Sequence, residues 1–254
     1  MLVSVIVPAY NQAKTIRKDI LNIYDSMVST NYDFEIIVVD DGSTDETFKR
    51  VKSIEKEGLK ATRYLRNMGK GYAVKHGMKM SKGDLVAFID SGMDINANGI
   101  SMIIEHMKWY DADIVVGSKR HPASKVIYPP IRKLYSFGVQ MLVKLLFRIK
   151  IRDTQTGLKV FKRKVLEDVL PRLTVKKFAF DIELIAVADY LGYKRIFEAP
   201  VEITKDFRSK SVFQGFLFFD PYVRSFFYDM LGVFYRMYIL KYYANENRKN
   251  WIKD

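Results

Sequence analysis

Five short, apolar, β-branched runs, at Val3–Val7, Glu35–Val39, Lys60–Leu65, Leu85–Ile89 and Ile114–Val116, alternate with helical patterns near Lys14–Met27, Asp45–Glu55, Gly71–Met80 and Ala97–Trp109. That alternation leaves few folds open. Strands separated by helices join through crossovers and line up parallel, with helices on both faces of the sheet. The runs are short and apolar throughout, which suits strands covered on both sides. Ser43-Thr44-Asp45, followed by Glu46 and Thr47, has the residue types of a helix start. The predicted fold is α/β, a doubly wound and mostly parallel sheet.

After Gly117 the pattern changes. A loop with Pro122, Pro129 and Pro130 leads to a long predicted helix at about Ile131–Arg148. A strand at Leu158–Phe161, a helix at about Asp181–Leu191 and a strand at Arg195–Val201 follow. No repeat or low-complexity linker interrupts the chain, so residues 1–210 read as one domain and 211–254 as an appendage. In the appendage Val223, Phe226, Phe227, Met230, Leu231, Phe234 and Met237 recur at helical spacing. Arg224, Tyr228, Asp229, Gly232 and Arg236 fall on the other face, which makes an amphipathic helix. Two readings of it stay open: packing on the main domain or a second subunit, and lying in a membrane interface. Charges interrupt the stretch too often for a spanning helix. Leu2–Val7, closed by Pro8, is too short for a signal peptide, so the expected location is cytoplasmic.

Of the 254 residues, 48% are hydrophobic, enough for a core, and there is no cysteine, which excludes disulfides and thiolate metal sites. The net charge of +13 calls for an anionic partner: nucleic acid, nucleotide-sugar, lipid phosphate or an anionic membrane. No RNP, helix-turn-helix or zinc pattern supports a nucleic-acid-binding protein. His76, His106 and His121 have no motif around them, so no Ser-His-Asp set is arguable.

A doubly wound sheet takes ligands at the carboxyl ends of its strands, where strand order reverses. Pro8-Ala-Tyr-Asn11 and Asp40-Asp41-Gly42-Ser43 fall at two such ends. The acidic pair can accept hydrogen bonds from a base edge or a ribose, and the same residues also make a helix cap after a turn. The glycines of Asn67-Met-Gly-Lys-Gly71 permit a tight strand-to-helix turn. This is neither a Walker loop nor a G-x-G-x-x-G turn. Lys70 within it suits a donor phosphate or plain solvent. Phe88-Ile-Asp90-Ser-Gly-Met-Asp94 ends the fourth strand, and Asp94 also suits a cap for the next helix. Basic residues follow at Lys119, Arg120, Arg132, Lys144, Arg148, Lys150 and Arg152, either as a face for lipid headgroups or as a solvated stripe. Three further segments complete the set: Asp153-Thr-Gln-Thr-Gly157, Phe178-Ala-Phe-Asp181-Ile-Glu183-Leu and Arg208-Ser-Lys210-Ser211.

Together these segments resemble the polyprenyl-phosphate glycosyltransferases of glycosyltransferase family 2, most closely the dolichyl-phosphate β-glucosyltransferases. The match runs from Val3 to about Ser211, and Asp153-Thr-Gln-Thr-Gly157 is its most diagnostic string. The resemblance implies a GT-A-type fold and an inverting transfer of a sugar, glucose favoured. The donor is a nucleotide-sugar, expected to be UDP-linked, and the acceptor a dolichyl or polyprenyl phosphate at the cytoplasmic face of a membrane. It implies a donor set of Pro8, Tyr10, Asn11, Asp40, Asp41, Lys70 and Asp90, with Asp41 facing the base. Asp90 and Asp94 are expected to hold magnesium or manganese. Relatives usually carry Asp-x-Asp there, and this chain has Gly92 at the second position, which puts the strength of that site in question. Catalytic roles fall to Asp90, Arg132, Asp153 and Gln155, and acceptor phosphate binding to Lys119, Arg120, Arg132, Arg208 and Lys210. Asp181 and Glu183 are expected to line the pocket. The implied partners are the donor, the lipid phosphate and a membrane surface bound peripherally, with a homo-oligomer through the C-terminal helix as an option. A family member acting on a saccharide hydroxyl is the rival reading.

Overall fold

The computed structural model describes residues 1–92, 95–126, 130–203 and 221–250, with the backbone alone at 130–135, 222 and 248–250. Seven strands form a single sheet: β1 (Leu2–Ala9), β2 (Asp33–Asp40), β3 (Leu59–Arg63), β4 (Leu85–Ile89), β5 (Ile114–Ser118), β6 (Leu158–Lys162) and β7 (Ile196–Pro200), in the order β3-β2-β1-β4-β6-β5-β7. β1 pairs parallel with β2 and β4, β2 with β3, and β5 with β7. β6 runs antiparallel between β4 and β5, with Leu158 opposite Ile89 and Lys159 opposite Val116. The expected mostly parallel, doubly wound sheet is present, and one reversed strand is set into it.

Alternation along each strand feeds two apolar layers. Val3, Val5 and Val7 of β1 and Ile36 and Val38 of β2 meet helices α1 (Ile16–Val28) and α4 (Gly99–Trp109) through Ile16, Ile20, Ile23, Ile100, Ile103 and Ile104. Ile6, Ile37 and Val39 face the other way, toward α3 (Lys70–Met80), α5 (Pro130–Phe147), α6 (Arg163–Val169) and α7 (Phe180–Tyr190). The period of two along an extended backbone sends neighbouring residues to opposite layers.

Two elements differ from the sequence reading, and the expected C-terminal helix is present. The helix expected over Asp45–Glu55 is α2, confined to Thr47–Lys52. Asp45 stops its first turn short: Oδ1 accepts the Thr47 amide at 2.9 Å, and Oδ2 takes the Ala13 amide at 3.0 Å. Helix α6 went unread, since seven residues hold too few turns to show a period. The C-terminal helix is α8 (Pro221–Phe234), continued by a π turn at Tyr235–Ile239. Met230, Val233 and Met237 are buried in the layer that contains α7, so one face of α8 packs on the domain. Tyr228, Leu231, Tyr235 and Ile239 stay exposed. Among the described residues no helix is long and apolar enough to cross a membrane. Residues 204–220, which include Arg208, Lys210 and the expected start of the appendage at Ser211, lie outside the described residues.

Candidate active site

Strand order reverses between β1 and β4, so the ends of β1, β2 and β4 border one crevice. At the end of β1 Pro8 is buried, and beyond the strand Tyr10 is exposed and Asn11 turns the chain at φ 51°. The Asn11 amide donates to Ser43 Oγ at 2.9 Å, and its side-chain oxygen accepts the Thr44 amide at 2.9 Å. These bonds stitch the loop after β1 to the loop after β2. Asp40 is buried, with Oδ1 accepting from the Ser43 amide and hydroxyl and Oδ2 lying 3.6 Å from Arg63 Nε. Asp41, also buried, accepts the Met68 amide at 2.8 Å and the Gly69 amide at 2.9 Å, one on each oxygen. Burial raises its pKa although the two amides pull the other way. The structure places this expected base-facing carboxylate as the post that holds the Asn67–Gly71 loop, and leaves Tyr10 and Asn11 as the exposed members of the donor set.

That loop delivers Lys70, the first residue of α3, into the crevice. Its ammonium donates to Asp90 Oδ2 at 2.9 Å and to Asp181 Oδ2 at 3.2 Å. Asp181 Oδ1 in turn takes Lys159 Nζ at 2.6 Å, and Lys159 also donates to the Thr156 carbonyl at 2.6 Å. Asp90, Lys70, Asp181 and Lys159 thus form a string of alternating charge. Burial opposes charge on Asp181, but the two ammonium groups outweigh it and hold its pKa below the usual carboxylate value. Burial likewise opposes the charge on Lys70, and the two carboxylates more than offset it. Asp90 Oδ1 is buried and accepts no hydrogen bond.

The Asp153–Gly157 turn reaches Asp90 because β6 is reversed. A strand antiparallel to β4 begins where β4 ends, so the residues preceding it land at the crevice. The Asp90 amide donates to the Gly157 carbonyl at 2.8 Å. A Cβ at position 157 would sit 2.0 Å from Asp90 Oδ2, so only glycine allows this approach. Asp153, buried, accepts the Thr156 hydroxyl at 2.6 Å and the Lys119 amide at 3.0 Å on one oxygen and the Gln155 amide at 3.1 Å on the other. It therefore shapes the turn and ties it to the end of β5. The Gln155 side chain is exposed. Arg120 bridges to Ser136 of α5 at 2.7 Å.

Not every expected neighbour meets. Asp181 and Glu183 are two apart on α7, which puts them on opposite sides of the helix. Glu183 faces away from the lysine pair: fully buried, it accepts the Thr174 hydroxyl at 2.8 Å, the Val175 amide at 2.8 Å and the Tyr243 hydroxyl at 2.6 Å. Asp94, Arg208 and Lys210 lie outside the described residues, as does the side chain of Arg132. Gly92 adopts φ 109°, a backbone conformation that an aspartate at this position would rarely share. Lys159 escaped the sequence reading. Its signal was a lone lysine inside the apolar strand Leu158–Phe161, because a buried ammonium demands partners.

For a metal, Asp90 is the carboxylate that fits: Oδ1 accepts no hydrogen bond while Lys70 holds Oδ2. Among the described residues no three His, Asp or Glu side chains gather. The fit is to an ion with one protein carboxylate, the mode in which magnesium is held together with substrate phosphates.

Residues 4–170 match glycosyl transferase family 2. The chain is 32% identical over 204 residues to a dolichyl-phosphate β-glucosyltransferase of Dictyostelium discoideum, covering 74% of this chain and 62% of that protein. It is 31% identical over 225 residues to one of Trichomonas vaginalis, covering 84% and 66%. It is 29% identical over 203 residues to the one from Homo sapiens, covering 74% and 63%. The chain thus spans a little under two thirds of the length of these relatives. Among solved structures it resembles glucosyl-3-phosphoglycerate synthase of Mycobacterium tuberculosis in complex with UDP, with a TM-score of 0.66 at 19% identity over 91% of this chain and 79% of that one. The same synthase with Mn2+, UDP-glucose and phosphoglyceric acid gives a TM-score of 0.65 at 18% identity, again over 91% and 79%. These two establish a shared fold.

Proposed function

The chain belongs to glycosyl transferase family 2, and we infer that it carries out inverting transfer of a sugar, glucose foremost, from a UDP-linked donor to a dolichyl or polyprenyl phosphate at the cytoplasmic face of a membrane. One observation carries the choice of acceptor. The carboxylates gathered at the crevice are already committed: Asp41 to the Asn67–Gly71 loop, Asp153 to its own turn, Asp181 to two lysines. Among the described crevice carboxylates, Asp90 Oδ1 and Asp40 Oδ2 accept no hydrogen bond, and Asp40 Oδ2 lies 3.6 Å from the Arg63 guanidinium. A sugar hydroxyl must lose a proton as it attacks and needs a base beside it. A phosphate monoester, with a second pKa near ~6, is a nucleophilic dianion at pH 7 and needs none. The named relatives, dolichyl-phosphate β-glucosyltransferases, support this acceptor and glucose as the sugar.

In this reading the nucleoside lies across the ends of β1 and β2, by Tyr10, Asn11 and the Asp40–Asp41 pair. Lys70 and Asp90 meet the diphosphate. A divalent ion on Asp90, when bound, neutralises charge on the departing nucleoside diphosphate. Asp153 holds the turn of Gln155 and Gly157 against Asp90 and the Gly117–Arg120 segment, where the acceptor phosphate enters. Lys119, Arg120, Arg132, Arg208 and Lys210 supply the cations that bring two phosphorylated substrates together. The phosphate oxygen then displaces the diphosphate at the anomeric carbon with inversion.

The test offers UDP-glucose with prenyl phosphate, prenol and a free oligosaccharide in parallel. Glucose appears on prenyl phosphate alone if the reading holds. Glucose on the oligosaccharide and none on the lipid phosphate overturns it in favour of a hydroxyl-directed transferase.

A further inference from the structure

We propose that Lys70 is an exchangeable internal cation: it holds Asp90 until a divalent ion and a nucleoside diphosphate arrive, and then passes to the diphosphate. This rests on the reading of Asp90 as the metal carboxylate. Lys70 lies 2.9 Å from Asp90 Oδ2 and 3.2 Å from Asp181 Oδ2. Among the described residues, the string that a bare divalent ion meets holds two carboxylates and two ammonium groups, with one ammonium on the carboxylate it must use. Position 92, two residues on, is a glycine and adds no negative charge. Like charges so close repel, and the repulsion is screened less where the Lys70 side chain is mostly buried, at 17% exposed.

The string also makes the exchange cheap. When Lys70 leaves, Asp181 keeps Lys159, a fully buried ammonium 2.6 Å away and fixed by the Thr156 carbonyl. No buried carboxylate is stranded, the step that would otherwise be costly. Lys70 sits on a flexible stem with three rotatable donors and begins α3, so its ammonium can swing about a fixed backbone. A diphosphate brings enough negative charge for the ion and the ammonium together. Ion and nucleotide consequently favour each other's binding, and the coupling is reciprocal.

The experiment measures free Mn2+ by its paramagnetic resonance signal as the full chain is titrated, with and without UDP and with no acceptor. In the unmutated protein UDP tightens Mn2+ binding. Lys70→Met binds Mn2+ alone about tenfold more tightly, and its gain on adding UDP shrinks by a similar factor, while Lys70→Arg stays near the unmutated values. Equal or weaker Mn2+ binding by Lys70→Met overturns the exchange but leaves the metal carboxylate standing. No Mn2+ binding by either protein in the presence of UDP overturns both. Should Lys70→Met fail to fold, acetylation of Lys70 in the unmutated chain, read by mass spectrometry, takes its place. Saturating Mg2+ alone raises the rate and added UDP lowers it again; a rate indifferent to both overturns the proposal.

Discussion

A methyl group at position 157 would lie 2.0 Å from Asp90 Oδ2, so Gly157→Ala must displace that carboxylate or the turn behind it. Removing one preorganised group that acts on developing charge costs roughly 100-fold in turnover. Asp90→Ala is therefore expected to lose about that factor, and Gly157→Ala a comparable one, with circular dichroism unchanged in both. Near-normal turnover in Asp90→Ala would remove the metal assignment. Asp181 carries a prediction about pH. Its pKa in the fold lies below the ordinary 3.8 because Lys159 and Lys70 outweigh the effect of burial. A depressed carboxylate contributes stability that is complete above the unfolded value and is lost as pH falls through the folded one. Urea midpoints measured from pH 5 downward should thus fall more steeply for the unmutated protein than for Asp181→Asn, and parallel slopes would count against the lysine pairing. The sequence named Asp90, Asp153 and Asp181 from motif position. It could not show that Asp41 spends both oxygens on a loop, since a carboxylate's partners lie far along the chain, here 27 and 28 residues away.

Helix α7 faces two ways, and each side has its own structural consequence. Through Asp181 it supports the lysines of the crevice. Through Glu183 it anchors the loop at Thr174–Val175 and the C-terminal segment, where Tyr243 donates to Glu183 at 2.6 Å and Arg236 Nε donates to Tyr243 at 3.0 Å. Tyr243→Phe removes one donor from a buried carboxylate and leaves the ring in place. The expected loss is about 1–3 kcal/mol, read as a lower urea midpoint with an unchanged slope. An unaltered midpoint would mean that the hydroxyl is not holding the appendage. A loop contact extends this anchorage toward the crevice: the Lys176 carbonyl accepts the Tyr72 amide at 3.0 Å, two residues from Lys70. At this scale most strands and helices were legible from periodicity. Helix α7 was placed within a residue by its opening Asp181 and Glu183, yet its wholly buried run from Phe180 to Ala188 hides the face each residue takes. Helix α6 was missed because it is two turns long.

Two stretches of the chain expose apolar side chains. Phe137, Met141 and Leu145 stand exposed at four-residue steps on α5, with Lys144 and Arg148 exposed among them. Leu231, Tyr235 and Ile239 stand exposed on and after α8. Given the net charge of +13, we propose that these two stretches meet an anionic membrane. Sedimentation with vesicles should require anionic lipid and weaken as salt shortens the screening length below about 10 Å. Replacing Leu231, Tyr235 and Ile239 together by serine should release the protein while leaving its melting temperature nearly unchanged, because the buried Met230, Val233 and Met237 hold the helix to the domain. Retention of the triple variant on vesicles would leave α5 or the crevice as the contact. By itself the sequence determined the strand–helix alternation, the motifs at the strand ends and the family, because local spacing and residue type encode all three. Only the tertiary structure decided that β6 runs backwards between β4 and β5, since pairing direction is a long-range property with no local signature. That reversal sets Gly157 against Asp90 and draws Lys159 under Asp181, and so assembles the charged string from residues that the chain order keeps apart.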